Sequence, residues 1–190
     1  MIRVLFVRHG ATAGNLERRY IGSTDEPLCP LGVAQIQRLQ EENLTADYLF
    51  ISPMLRTRQT AELLFPKLIP QVVEGFRETD FGVFENKTAA ELSDDAAYQK
   101  WLDTMCQGPI PGGEQVSDFK RRCYDAFQAC MEELPEDCCV AFVVHGGVIM
   151  SVLEAYAQPH HDFYDYHVPN GTCVACRYEN GVLTLEKPIK

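Results

Sequence analysis

The sequence predicts an α/β layer architecture with a largely parallel sheet, and three observations predict it. Ile2–Val7 and Cys138–Val144 are near-continuous apolar runs, the signature of strands buried on both faces. Between such runs lie amphipathic helical patterns, clearest where Val116, Phe119, Cys123, Ala126, Cys130 and Leu134 step by three and four. Strands that alternate with helices in this way pair as parallel neighbours. Sheets of this class bind ligands beyond the carboxyl ends of their strands, so the residues just after each apolar run carry most interest.

The elements follow in order. Ile2–Val7 is the first strand. A helix is expected over about residues 30–42, with Pro30 in its first turn and Leu31, Ala34 and Leu39 turned inward. Tyr48–Ile51 is a short second strand. Ser52-Pro53 reads as N-cap and first helical residue of a helix running to about residue 65, closed by Pro66 and Pro70. Gln71–Val73 makes a third strand. Residues 75–113 hold Phe76, Phe81, Phe84, Tyr98 and Trp101 without one sustained period. Thr88–Leu92 and Asp95–Asp103 read as short helices there, and Pro109, Pro111, Gly112 and Gly113 punctuate the chain. This stretch is expected to be an excursion near the working edge of the sheet, within a single domain over residues 1–190. The long amphipathic helix ends at Pro135, and strand Cys138–Val144 follows. Val148–Tyr156 is helical in pattern, and Thr172–Tyr178 and Val182–Glu186 form a hairpin about Asn180-Gly181.

A net charge of -10 argues against general nucleic-acid or anionic-membrane binding. It leaves room for a small anion, because a pocket can be locally positive. No apolar run reaches the length of a membrane span, and the N-terminus does not read as a secretion signal. The chain therefore reads as cytoplasmic, and its 8 cysteines as reduced thiols packed as small hydrophobes. Cys173 and Cys176 make a lone CxxC, but on a strand they face opposite sides, a poor geometry for a metal or redox pair.

Candidate chemistry concentrates at two strand ends. His9 and His145 each follow a buried strand, and each is followed by glycine, which lets a backbone turn sharply or a ligand approach. One such histidine reads as structural; two in matched context read as one site, if their strands are neighbours. Arg8 lies beside His9, and Arg56 falls in the first turn of a helix whose free N–H groups favour an anion. Arginine binds phosphate through a planar fork of donors. Either arginine alone reads as a solvated charge, as Arg58 does. Two histidines with two arginines point to phosphoryl chemistry. Metal ligation by the histidines stays open on the residues alone, although neither has a carboxylate or cysteine beside it. A nucleotide-binding Gly-rich lysine loop is missing.

VRHGATAGN resembles the RHGxTxxN signature of the histidine phosphatase (phosphoglycerate mutase-like) superfamily. The likeness continues in order through YIGSTDEPLCPLGVAQ, SPMLRTRQTA, FRETDFGVFEN, PGGEQ and VVHGGVI, and so spans nearly the whole chain. It implies a three-layer α/β/α sandwich and chemistry that needs no metal or other cofactor. Carried over by position, it makes His9 the nucleophile that becomes a phosphohistidine. Arg8, Arg56 and His145 would bind the transferred phosphoryl group, and Asn15 would support it. Glu78 would give a proton to the leaving oxygen, and Gly22 would line the substrate pocket. These roles are physically coherent. Flanking arginines keep a nucleophilic imidazole unprotonated, and fixed cations stabilise the charge of a phosphoryl group in flight. Glu78 could act as an acid only if held protonated, by partial burial or a negative neighbour.

The chain departs from the family pattern at Phe84 and Asn86, where tryptophan and glycine are common, and at Cys29, a weaker helix cap than serine or threonine. Only a short segment separates Glu78 from His145, where the similar cofactor-dependent mutases carry a long insertion. That favours hydrolysis of a small phosphorylated substrate over return of the phosphoryl group to a bound product. The compact length, TDEPL and PGGEQ resemble the α-ribazole phosphatase group used in cobalamin synthesis. A phosphoglycerate mutase and a catalytically silent phospho-ligand module are the alternatives. The sequence leaves the oligomeric state open.

Overall fold

The first apolar run forms β1 (Ile2–Arg8) and the second forms β4 (Cys139–Val144), and the two pair in parallel at the centre of the sheet. A computed structural model describes residues 1–189. Around this pair stand β2 (Tyr48–Ile51) and β3 (Gln71–Val72), giving the order β3-β2-β4-β1-β5-β6. The first four of these strands are parallel. The hairpin of β5 (Cys173–Glu179) and β6 (Val182–Leu185) adds antiparallel to β1. Its turn places Asn180 at φ 51° and Gly181 at φ 80°, the left-handed pair that a two-residue hairpin turn requires.

Both faces of the central strands are buried, which explains their unbroken apolar runs. On one face Val4, Phe6, Val140, Phe142 and Val144 pack against residues of α5 (Val116–Glu132) and α6 (Gly146–Tyr156), among them Phe119, Phe127, Val148 and Val152. On the other, Leu5, Val7, Ala141 and Val143 meet Leu39 of α2 (Pro30–Gln40) and Ala61 of α3 (Leu55–Leu64). The result is a three-layer α/β/α sandwich. One turn of helix, α1 (Ala13–Leu16), follows the His9 loop, and Asn15 closes its capping box with Thr12. Within residues 75–113, Phe84, Tyr98 and Trp101 form an aromatic cluster against which Tyr20 packs. Asp95 caps its helix, α4 (Ala96–Asp103), by accepting from the N–H groups of Ala97 and Tyr98.

Several local expectations are corrected. Leu31 and Ala34 of α2 are exposed; Gly32, Ile36 and Leu39 face inward instead. The phase is set by Gly32, where a Cβ would sit 2.0 Å from the Ala11 carbonyl oxygen. Thr88–Leu92 is a run of turns, with Thr88 bridged to Arg19, because Glu91 spends its carboxylate on Arg19 and on the Thr88 N–H. Ser52 is not a helix cap: α3 starts at Leu55, and Asp25 accepts from the Leu55 N–H at 2.7 Å. The helix end expected to attract an anion thus holds a carboxylate of its own chain. Cys29 does cap α2, with its sulfur 3.5 Å from the Gly32 nitrogen. Cys173 and Cys176 point into opposite layers, and burial pushes both thiols up to about 12.

Candidate active site

Three adjacent parallel strands deliver side chains to one place. β1 ends into His9, β4 into His145 and β2 into Ser52, and the main chain stays in register past the strand ends. The His9 N–H reaches the Val144 carbonyl at 3.1 Å and the Ser52 N–H reaches Val143 at 3.3 Å. The two imidazole centroids lie 5.1 Å apart, edge to face, and both rings are buried. The two strand ends therefore bring both histidines to one place.

His9 Nδ1 lies 2.7 Å from the Gly10 carbonyl oxygen. A carbonyl only accepts, so Nδ1 carries the proton and Nε2 presents a lone pair. Burial, Arg56 and Arg8 hold its protonation well below the ordinary histidine range, against the pull of the Gly10 carbonyl. His145 is lowered for the same reasons, burial first, then Arg56 and His9. Its Nε2 pairs with the Ser52 hydroxyl at 2.7 Å, while its Nδ1 has no protein partner.

The arginines are built in rather than solvated. Arg56 is 1% exposed, and its two terminal nitrogens donate to the carbonyls of Thr24 (2.8 Å) and Gly22 (2.9 Å). Arg8 donates to the Val168 carbonyl at 2.6 Å. Burial lowers both guanidinium groups and Glu78 opposes the shift, yet arginine stays cationic at any ordinary pH. The Nε–H groups of Arg8 and Arg56 are buried without an acceptor. Arg58 is exposed, as expected of a surface charge.

Glu78 reaches the same cluster from the excursion. Its carboxylate accepts from its neighbour Thr79 N–H at 2.9 Å and from Gly147 N–H, in the first turn of α6, at 3.0 Å. The glycines here also make room for the chain's own groups. A Cβ on Gly147 would lie 2.4 Å from Glu78 Oε1, one on Gly22 1.7 Å from the Thr79 oxygen, and one on Gly10 2.6 Å from the Gly32 oxygen. Asn15 stands one step away: its Oδ1 accepts from Asn170 Nδ2 at 3.2 Å, and the same nitrogen donates to the His9 carbonyl at 3.1 Å.

Sequence reasoning missed four residues that hold the site. Ser52 fixes His145. Glu85 ties the Gly22 and Thr24 N–H groups with one oxygen and the Phe81 N–H with the other. Arg122 clamps the Glu78 loop, and Asn170 ties His9 to Asn15. Ser52 was readable by the strand-end rule that exposed the histidines. Glu85 lies inside the FRETDFGVFEN segment but carries no local mark of its role. Among the described residues no group of three or more His, Cys, Asp or Glu is placed to hold a metal ion, and no helix is long and apolar enough to cross a membrane.

The family model described as "Histidine phosphatase superfamily (branch 1)" matches residues 4–188. The chain belongs to the histidine phosphatase superfamily. It is 34% identical over 170 residues to the "Probable phosphoglycerate mutase GpmB" of Proteus mirabilis, covering 83% of this chain and 79% of that protein. The Klebsiella pneumoniae protein of the same name is 33% identical over the same length. Among solved structures, the phosphoglycerate mutase of Thermus thermophilus superposes with a TM-score of 0.73 at 32% identity, covering 95% of each chain. The α-ribazole phosphatase of Shigella flexneri superposes with a TM-score of 0.86 at 22% identity, covering 97% of this chain and 94% of that one, a likeness of fold. Membership places this chain in a superfamily of mutases and phosphatases.

Proposed function

We propose that this protein is a phosphomonoesterase that hydrolyses a small phosphorylated metabolite through a phosphohistidine at His9, without a metal or other cofactor. One observation carries the reading: His9, its Nδ1 held by the Gly10 carbonyl and its protonation lowered, sits among buried Nε–H donors of Arg8 and Arg56 that have no protein acceptor and beside the unpartnered Nδ1 of His145. A phosphoryl group is the acceptor such a donor set suits.

The lone pair of His9 Nε2 attacks phosphorus, and the bond from phosphorus to the ester oxygen breaks. Arg8, Arg56 and His145 hold the oxygens of the phosphoryl group in flight, and the two arginines are the fixed cations that contribute most there. The leaving alkoxide takes a proton from Glu78 and departs as an alcohol. Glu78, now a carboxylate, takes a proton from water as that water attacks phospho-His9. The N–P bond breaks, phosphate leaves, and both side chains are restored. Asn15 acts through Asn170 on the His9 main chain, and Gly22 presents its carbonyl to Arg56.

The short segment between Glu78 and His145, with the TDEPL and PGGEQ segments, favours hydrolysis and makes α-ribazole phosphate the leading named substrate. The names of the GpmB relatives favour a second reading, phosphoryl transfer between hydroxyls of phosphoglycerate. A screen with α-ribazole phosphate, 3-phosphoglycerate, phosphoserine and sugar bisphosphates separates them by comparing phosphate release with isomerisation. His9→Ala should abolish turnover and covalent labelling by labelled substrate, and a chelator should change nothing. Activity lost to chelator and restored by a divalent metal would sink the proposal. Phosphate binding with no turnover on any substrate would mark a silent module.

A further inference from the structure

His9 Nε2 attacks phosphorus only with a bare lone pair, so the single proton of the neutral ring must sit on Nδ1. The group that keeps it there is the Gly10 carbonyl, at 2.7 Å. That carbonyl belongs to the peptide plane joining Gly10 to Ala11. A peptide unit is rigid, so whatever holds the Ala11 N–H also aims the Gly10 carbonyl. Gly10 has no Cβ and leaves the plane freer to turn than another residue would. The orientation of His9 therefore depends on an anchor at Ala11.

That anchor is Gln35 of α2, whose Oε1 accepts from the Ala11 N–H at 2.9 Å. The preceding plane, from His9 to Gly10, is tied at both ends. Its N–H donates to Thr60 Oγ1 at 3.1 Å, and its carbonyl accepts from the Gly171 N–H at 3.0 Å and from Asn170 Nδ2 at 3.1 Å. The Gly10–Ala11 plane has no such redundancy. Its carbonyl faces His9, and among the described residues its N–H is held by Gln35 alone. The fold makes room for this contact. A Cβ on Gly171, which sits at φ 68°, would lie 2.5 Å from the Gln35 Cβ, and Gly32, one turn before Gln35, meets the Ala11 carbonyl. Gln35 carries no charge, so its contribution is geometric.

We infer that Gln35 is a positioning residue for the nucleophile: by holding the Ala11 N–H it aims the Gly10 carbonyl at His9 Nδ1 and keeps Nε2 bare. This rests on the reading of His9 as nucleophile and adds the residue that sets its tautomer. When the plane turns, Nδ1 loses its acceptor and the proton is free to occupy Nε2. The imidazole then presents an N–H to phosphorus where a lone pair is needed.

The test reads tautomer and rate separately. In protein carrying 15N-labelled histidine, the His9 ring signals are those lost in His9→Ala, out of 5 histidines. Well above pH 6.5, where the ring is neutral, wild-type His9 should show a protonated Nδ1 and a bare Nε2. Gln35→Met keeps the length of the side chain and loses the acceptor. It should move much of the proton to Nε2 and lower kcat/KM roughly tenfold, the weight of one hydrogen bond. The loss should be the same on an alkyl and an aryl phosphate, because both esters need the same lone pair. Gln35→Ala, which removes the acceptor without adding bulk, should behave alike. Gln35→Glu keeps an acceptor at the same reach and should retain the wild-type tautomer and most of the rate. A merely structural Gln35 would change Tm and leave the tautomer alone. An unmoved tautomer in Gln35→Met and Gln35→Ala, or a wild-type His9 protonated on Nε2, overturns the inference. A shifted tautomer with wild-type rates overturns it too, as does a loss confined to the alkyl ester, which would place the effect on Glu78. If the wild-type protein hydrolyses no ester and His9 takes no label, the phosphatase reading falls, and the ring signals still decide whether Gln35 sets the tautomer.

Discussion

Arg122 offers the sharpest test of how Glu78 is held. From α5 its guanidinium donates to the carbonyls of Gly75 (2.9 Å), Arg77 (2.7 Å) and Glu78 (3.1 Å). It also pairs with both oxygens of Glu114, at 2.6 and 2.7 Å. The two side chains are only 27% and 19% exposed. Arg122→Ala removes all of these contacts and leaves Glu114 partly buried without its partner. A single charged hydrogen bond contributes about 1.5–3 kcal/mol, but the rim carbonyls can turn to water and the losses do not add. Breaking a part-buried pair costs about 3 kcal/mol. At about 2–4 °C per kcal/mol for a chain of this size, Tm should fall by roughly 6–12 °C. The effect on activity has a different origin. Misplacing a reacting group by ~1 Å costs roughly 100-fold, and only a poor leaving group needs the proton of Glu78. The assay is kcat on an alkyl phosphate and on an aryl phosphate, below Tm. We expect a drop of roughly 100-fold on the alkyl ester and under about tenfold on the aryl one. Arg122→Lys should recover part of the Tm loss and little of the alkyl rate, since an ammonium cannot span three carbonyls. Equal losses on both esters would refute the link from Arg122 to Glu78.

Other outcomes follow from the same geometry. Ser52→Ala strips His145 Nε2 of its partner in a fully buried setting, at a cost of about 1–3 kcal/mol; calorimetry and inhibition by inorganic phosphate should show lower Tm and weaker binding, and an unchanged phosphate constant would remove Ser52 from the site. Gly22→Ala pushes a Cβ into the Thr79 carbonyl, so the Arg56 acceptor must move; about 1–3 kcal/mol of stability and at least about tenfold in kcat should be lost, and wild-type kinetics would contradict the close packing. The pH dependence has a definite sign. His9 and His145 have folded-state values well below 6.5, so the unfolded chain binds more protons as pH falls. Their neutral burial therefore carries no penalty above pH 6.5, and stability declines as pH drops below it toward the folded-state values. Denaturant midpoints between about pH 8 and 5 would show this, and kcat/KM should lack an acid limb near 6.5. An activity midpoint at 6.5 assigned to His9 by its imidazole resonance would refute the shift.

What the sequence disclosed depended on whether the determining contacts were local. β1 and β4 announce themselves because burial on both faces leaves no polar gap, and the strand-end rule then finds His9 and His145 without a fold in hand. The same rule points to Ser52, one residue past β2, yet Ser-Pro is also a strong local cap signal, and the two readings share every residue nearby. What decides between them is the placement of β2 beside β4, which brings Ser52 to His145 across 93 positions of sequence. Arg122 is hidden by a related conflict. It adjoins Cys123 on an amphipathic helix whose period assigns it to the solvent flank, and the carbonyls it holds lie 44 to 47 residues upstream, in a stretch with no period at all. Leu31 shows the converse error: an apolar side chain is left outside because Gly32 must meet the Ala11 carbonyl, and backbone contact sets the phase of α2. Period and composition therefore locate the layers and the edge where chemistry gathers. The polar ties that set the geometry of that edge, Ser52 to His145, Arg122 to the Glu78 loop and Glu85 to the Gly22 turn, are long-range and leave no periodic trace. They are also the ties whose loss should change rate and specificity before it abolishes the fold.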